Sequence, residues 1–363
     1  MRPPLAENIE RMAGYVPGEQ PKGVGIVKLN TNENPYPPSP KVAEALARFD
    51  AASLRRYPDP TAAPLRERLA EIHGTRPERV FAGNGSDEIL ALATRCFVRR
   101  GGRVGAFTPT YSLYPVLAEI RDVGYVEASL AGDFGWRAPE FPGGAPDLFF
   151  LTCPNAPTGV AYPRDAVAAF AKGFTGTVLL DEAYADFADS NCMDLATAPD
   201  NENVVVSRTM SKSFSLAGLR FGYCVGPEPL IEAMFKAKDS YNLDAVTQAL
   251  ALAALDDLAW MRDNAEKVKA ERERLSAAIA GLGWSCTRSQ ANFVFARPPD
   301  GNAQAVFAAL KARNIFVRHF ALPGISGHLR ITVGTPAEND RLLGAIGDCS
   351  ILPEGDTKSL VVT

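Results

Sequence analysis

A chain of 363 residues, with 38 Lys and Arg against 42 Asp and Glu and a formal net charge of −4, has the length for two or three domains and a substantial core. Its mild acidity argues against a general attraction to nucleic acid or anionic membranes, leaving small molecules and protein as partners. The six cysteines (Cys96, Cys153, Cys192, Cys224, Cys286 and Cys349) form no CxxC pair, and with three histidines in all a disulfide framework, a metal centre and a Ser-His-Asp triad are all unexpected.

The opening "MRPPLAENIERMAGYV" lacks the apolar run of a signal peptide, and no later stretch has the length and apolarity of a membrane span. A reducing, cytoplasmic location is expected. Residues 1–38 are rich in Pro, Gly and Asn, densest at "NTNENPYPP", and predict an extended arm lying on the body of the molecule or on a partner subunit. Ser39 and Pro40 then read as the N-cap and first residue of a helix whose apolar stripe is Val42, Leu46 and Phe49. A second helix opens at Pro64, carries Leu65, Leu69 and Ile72, and stops at Gly74.

Through the middle of the chain, the apolar runs "RVGAF", "DLFFLT", "TVLLDEAY" and "NVVVSRT" alternate with helical patterns. This predicts a largely parallel sheet covered by helices on both faces. Leu243 to Gly281 reads as one long connecting helix. Beyond it, "ANFVFARP", "IFVRHF" and "HLRITVG" predict strands around a helix from Ala303 to Arg313. The expected organisation is an arm (1–38), a large domain (39–280) that includes the connecting helix, and a smaller α+β domain (281–363) against which the N-terminal segment packs. The tail "GDTKSLVVT" carries no interpretable motif.

Ligands of open α/β sheets bind beyond the carboxyl ends of the strands, where loops and helix N-termini meet. There "DLFFLT" delivers Asn155, "TVLL" delivers Asp181 and Tyr184, and "NVVV" delivers Lys212. An amine, a carboxylate, an amide and a phenol on one edge meet the needs of pyridoxal 5'-phosphate. Lys212 supplies the amine for a Schiff base and later moves a proton. Asp181 supplies negative charge beside the ring nitrogen, and Asn155 and Tyr184 suit the phenolate oxygen. "GNGSDE", residues 83–88, opens a helix whose first N–H groups, at Ser86 and Asp87, face an anion. It matches neither a Walker A loop nor a GxGxxG fingerprint. In "SRTMSKSFSLAGLR" Lys212 takes the covalent task and Arg220, with Ser211, the electrostatic one, and Gly218 is expected to bend the backbone so that they meet. A thiol nucleophile at Cys153 finds no histidine nearby in sequence to activate it.

The ordered set "LNTNENPYPPSP", "RYPDP", "GNGSDE", "PTYSLY", "CPNAPTG", "DEAYADF", "RTMSKSFSLAGLR", "ANFVF" and "LRITVGT" covers nearly the whole chain. It resembles the fold type I, class II pyridoxal-phosphate-dependent aminotransferases, most closely the histidinol-phosphate aminotransferase family. The resemblance implies Lys212 as the Schiff-base lysine, Asp181 at the ring nitrogen, Asn155 and Tyr184 at the phenolate oxygen, and Tyr111 stacked on the ring. It implies Ser86, Asp87, Thr209, Ser211 and Arg220 around the phosphate, with Tyr57 reaching in from the other subunit of a homodimer. For substrate it implies Arg330 on the carboxylate of glutamate or 2-oxoglutarate, and contacts from Arg318, Tyr15 and Asn32, with Arg318 suited to a substrate phosphate. Two positions depart from the family pattern: Ala156 stands for an asparagine, and Ser213 for a common alanine.

The activity implied is transfer of the amino group of L-histidinol phosphate to 2-oxoglutarate in histidine biosynthesis. The alternatives are an aromatic amino-acid aminotransferase and a lyase of the threonine-phosphate decarboxylase type. A regulatory binding module would need a DNA-binding segment, and no helix-turn-helix pattern precedes the arm.

Overall fold

The computed structural model describes residues 3–350; the tail motif and the end of the small domain lie outside them. The arm contributes a short strand, β1 (Val27–Lys28), after a short helix at Glu7–Arg11. The segment after it supplies a seven-stranded sheet: β2 (Val80–Gly83), β3 (Arg103–Thr108), β4 (Gly124–Ser129), β5 (Leu148–Thr152), β6 (Thr177–Asp181), β7 (Val204–Thr209) and β8 (Gly222–Val225). The strand order is β2-β8-β7-β6-β5-β3-β4, and β8 alone runs opposite to the other six strands.

The continuous apolar runs predicted as strands are covered on both sides. Along β5, Leu148 and Phe150 enter one core and Phe149 and Leu151 the other; along β6, Leu179 opposes Val178 and Leu180 in the same way. Alternation of side chains in an extended backbone, with helices on each face, accounts for this division.

The last segment forms a four-stranded antiparallel sheet from β9 (Ser285–Cys286), β10 (Phe293–Arg297), β12 (Arg318–His319) and β13 (Leu329–Thr332), while β11 (Ile315–Phe316) pairs parallel with β1 of the arm. Val27 and Leu29 of the arm are buried in the same core as Ile315, Leu329 and Ile331. Part of the arm is therefore a structural piece of this smaller unit rather than a free extension.

Three expectations are corrected. The helix expected from Leu243 to Gly281 is two, Ala245–Leu255 and Leu258–Gly281. The break falls on Asp256 and Asp257, whose side chains turn away to Arg68 and Ser39. Leu46, placed on an apolar stripe, is 55 % exposed, while Val42 of the same helix, Pro40–Arg48, is buried. The reversal between Lys212 and Arg220 does not depend on Gly218, which has no positive φ; Ser215 (φ 62) and Arg220 itself (φ 58) take the left-handed conformation. Antiparallel β8 begins just after Arg220, and this direction returns Arg220 to the edge where β7 ends.

Candidate active site

The carboxyl ends of β3, β5, β6 and β7 and the start of the helix Gly85–Phe97 surround a cavity of about 340 Å³, closed on its other side by the arm and by β12 and β13. Lys212, three residues beyond β7, and Asp181, the last residue of β6, both line it. Lys212 Nζ donates to the Thr31 carbonyl at 3.2 Å and lies 5.9 Å from the centre of the Tyr184 ring. Burial, then the nearby Arg330 guanidinium, pulls the Lys212 amine down to about 8.

Asp181 is buried, and burial pushes its carboxyl up to about 6 despite the hydrogen bond from Tyr114. Its Oδ2 accepts from the Tyr114 hydroxyl at 2.8 Å, whereas buried Oδ1 has no partner among the described residues. Tyr114 in turn shares Thr152 Oγ1. Sequence reasoning assigned neither residue a role: Tyr114 lies in the first turn of the helix Leu113–Arg121 and is fully buried behind the cavity wall, where its apolar neighbours make it read as a core aromatic.

Tyr184 accepts from Asn32 Nδ2 at 2.9 Å, which leaves its own O–H free to donate. Asn32 was expected to touch substrate. Its amide oxygen accepts from Thr332 Oγ1 at 3.1 Å and its carbonyl accepts from Asn292 Nδ2 at 2.9 Å; held this way, it lines the cavity and orients Tyr184. Asn155 is buried beneath the wall and is not among the lining residues. Its Nδ2 donates to the Pro109 carbonyl and Thr158 Oγ1, both at 3.0 Å, and its Oδ1 accepts from Thr110; here the amide faces the loop rather than the cavity.

Ser86, Asp87, Thr209, Ser211 and Arg220 gather at one end. Gly85 (φ +77) permits this: a Cβ there would stand 2.7 Å from Arg220 Nη2. At Gly222 a Cβ would meet the Ser86 nitrogen, also at 2.7 Å. The two glycines thus let β8, the guanidinium and a helix N-terminus close on one point, a cradle for a phosphate. Arg220 Nη2 pairs with Asp87 Oδ2 at 3.1 Å, and the Tyr111 hydroxyl donates to Asp87 Oδ1 at 3.3 Å.

At the opposite end, Arg318 and Arg330 face each other in register across β12 and β13 and both line the cavity. Arg330 Nη2 donates to the Asn30 carbonyl at 2.9 Å, and its buried Nε has no partner among the described residues. Both guanidiniums lie about the Phe320 ring, at 5.6 and 5.5 Å, a contact sequence reasoning did not identify. Tyr15 lines the entrance and meets Tyr111 edge-on at 6.0 Å. Tyr57 is not brought to this cavity within the chain: it is 79 % exposed and stacks on Tyr241 at 4.3 Å.

These residues fit pyridoxal 5'-phosphate. The orphaned acceptor of Asp181 would suit the N–H of a protonated pyridine and the glycine-shaped cradle a phosphate, and the Lys212 amine lines the same cavity. Among the described residues no cluster could hold a metal ion and no helix is long and apolar enough to cross a membrane. Burial pushes the Cys153 thiol up to about 12, so it offers no thiolate.

Residues 24–346 match the family model described as aminotransferase class I and II. Over 347 residues the chain is 43 % identical to a histidinol-phosphate aminotransferase of Syntrophotalea carbinolica, covering 95 % of this chain and 99 % of that protein. Over 348 residues it is 44 % identical to one of Geobacter sulfurreducens, covering 94 % and 98 %. Among solved structures, the histidinol-phosphate aminotransferase of Sinorhizobium meliloti in complex with pyridoxal-5'-phosphate superposes with a TM-score of 0.81 at 27 % identity, over 89 % of this chain and 90 % of that one.

Proposed function

Since the chain belongs to the class I and II aminotransferases, and within them to the histidinol-phosphate aminotransferase family, we propose that it moves the amino group of L-histidinol phosphate to 2-oxoglutarate, giving 3-(imidazol-4-yl)-2-oxopropyl phosphate and L-glutamate. The observation that carries the choice of substrates is the pair Arg318 and Arg330, opposite each other in register on the cavity wall. Two cationic forks suit a reaction whose two amino donors differ in their anion, one ending in a phosphate and the other in a carboxylate.

Bound in the cavity, pyridoxal 5'-phosphate supplies an aldehyde that joins to amines and a cationic ring that accepts the electrons of a broken Cα–H bond. Ser86, Asp87, Thr209, Ser211 and Arg220 would hold its phosphate and Asp181 its ring nitrogen, with Tyr111 against the ring face. Tyr184, oriented by Asn32, would donate to the phenolate oxygen. Lys212 would anchor the group, and its buried amine, once free, would take the proton from the substrate Cα. Arg330 holds the carboxylate of glutamate, and Arg318 the phosphate of histidinol phosphate.

The active form is a homodimer in this reading. Leu46, Leu54, Tyr57 and Tyr241 are exposed apolar residues, surface that a second copy could cover, and in this reading Tyr57 would serve the phosphate cradle of the partner subunit. A cytoplasmic setting, where thiols stay reduced, suits the free Cys96, Cys153, Cys192, Cys224 and Cys286.

Mixing cofactor-loaded protein with L-histidinol phosphate and no keto acid tests the reading. The visible absorbance of the bound cofactor is expected to fall in wild type and not in Lys212→Ala. Arg318→Met is expected to weaken histidinol phosphate by about 10 to 100-fold while sparing glutamate, and Arg330→Met to do the reverse, as for loss of a charge-assisted hydrogen bond. A faster response to phenylalanine or tyrosine would favour an aromatic aminotransferase, and carbon dioxide released from a phosphorylated amino acid a lyase.

A further inference from the structure

Ser213, which departs from the family pattern, lies 2 % exposed beside the lysine. Its hydroxyl donates to Asp186 Oδ2. The other oxygen of Asp186 accepts from Arg208 Nη1 at 3.0 Å, and Arg208 reaches Glu182 Oε2 through Nη2 at 2.8 Å and Nε at 2.9 Å. Glu182 Oε1 accepts from the Cys192 N–H, and Glu182 directly follows Asp181. From the arm, Asn34 Nδ2 donates to the carbonyls of Lys212 and Ser213 at 3.1 and 3.2 Å. The peptide that carries the lysine is therefore gripped from both sides: by the arm at its carbonyls, and by a buried ionic chain at the next side chain.

We propose that Ser213 is a positioning residue for Lys212: through Asp186, Arg208 and Glu182 it couples the lysine peptide to the strand end that carries Asp181, so amine and carboxylate are held as one unit. This deepens the reading of Lys212 as the cofactor-anchoring amine and rests on it. The chain has the character of a framework. Although burial disfavours its charge, the carboxylates of Glu182 and Asp186 hold Arg208 above the usual guanidinium range, and burial raises Glu182 against the pull of Arg208. Removing one member leaves its partners buried and incompletely paired, which anchors the chain in place.

The consequence appears at the Lys212 amine. Its surroundings include Arg330 and Arg220, which oppose its charge, and Glu33 and Asp87, which favour it; Tyr184 faces it from the β6 end. Around Asp186 stand Arg208, Glu182, His73 and Tyr223, with His73 hydrogen-bonded to the Tyr223 hydroxyl at 2.9 Å. When the Ser213 hydroxyl is gone, the lysine peptide loses one grip and the amine samples wetter positions. The burial that lowers its proton affinity then weakens.

The test is the pH dependence of the rate at which cofactor-free protein captures added pyridoxal 5'-phosphate, which follows the fraction of uncharged Lys212 amine, with thermal unfolding recorded alongside. Wild type is expected to show a midpoint near the value of about 8 set by its surroundings. Ser213→Ala is expected to raise it by about half a pH unit, a three-fold loss of uncharged amine at neutral pH. Asp186→Asn should do the same and Ser213→Thr should restore the original midpoint. An unmoved midpoint in folded Ser213→Ala and Asp186→Asn overturns the proposal. A capture rate without pH dependence in wild type overturns the reading of Lys212 itself, and the proposal with it.

Discussion

Replacing Asp181 with asparagine separates what this carboxylate costs the fold from what it does for the cofactor. An ordinary aspartate titrates at 3.8, and burial moves this one to about 6. Between those values the native protein holds a proton that the unfolded chain has already released, so the stability of cofactor-free protein falls as pH rises through the window. Above it the loss is constant. At about 1.4 kcal/mol per pH unit it amounts to about 3 kcal/mol. Asp181→Asn has no such titration. Urea unfolding of both cofactor-free proteins from pH 3 to 7.5 should therefore show the variant gaining about 3 kcal/mol relative to wild type across the series. Any fixed difference from the altered Tyr114 hydrogen bond cancels in that comparison. Loading with cofactor should remove the pH dependence from wild type, because a cation beside Oδ1 favours the carboxylate. Parallel stability curves for the two cofactor-free proteins would refute the view that burial outweighs the hydrogen bonds to this carboxylate.

Two further outcomes are expected. Ser39 caps the helix Pro40–Arg48 by accepting from the Lys41 N–H at 3.1 Å and also donates to Asp257, so Ser39→Ala should cost about 1 to 2 kcal/mol in urea unfolding while leaving the visible absorbance of the loaded protein unchanged. Tyr57→Ala and Lys212→Ala homodimers should each be nearly inactive, yet dissociation and remixing should recover about a quarter of wild-type activity if Tyr57 serves the partner's site, since half of a random mixture is heterodimer and each heterodimer retains one intact site; activity assays before and after mixing read this.

The legible parts of this molecule were those where one physical demand fixes the residue pattern. Strands covered on both faces need unbroken apolar runs, and Leu148–Leu151 and Val204–Val206 supply them. Polar residues that interrupt such runs at a carboxyl end stand out, and so Asp181 and Lys212 could be picked out. β2 and β8, "VFAG" and "GYCV", are short and rich in small residues, and nothing in a period-two pattern gives direction. The antiparallel sense of β8, which returns Arg220 to the cavity, was therefore invisible and its effect was ascribed to Gly218. Leu46 reads like any core leucine because sequence records apolarity and not what covers it. The orientation of the Asn155 amide is decided by a carbonyl 46 residues away, at Pro109, beyond the reach of local pattern.

The same burial sets the two central groups in opposite directions, and this links the apolar strands to the chemistry. Desolvation disfavours whichever form is charged, so it lowers the lysine amine from 10.5 to about 8 and raises the aspartate from 3.8 to about 6. For the lysine the change is useful in itself: at neutral pH the uncharged amine rises about 300-fold over that of a solvated lysine, and only that form can bond an aldehyde or take a proton. For the aspartate the change is a debt until a cation arrives beside Oδ1, which makes the cavity more favourable to a protonated pyridine than to a neutral ring. Arg330 sharpens the contrast, since its guanidinium lowers the amine further while waiting for a carboxylate. An anionic substrate bound there would screen that repulsion, so the amine's proton affinity should rise as substrate enters, at the step where it begins to act as a base.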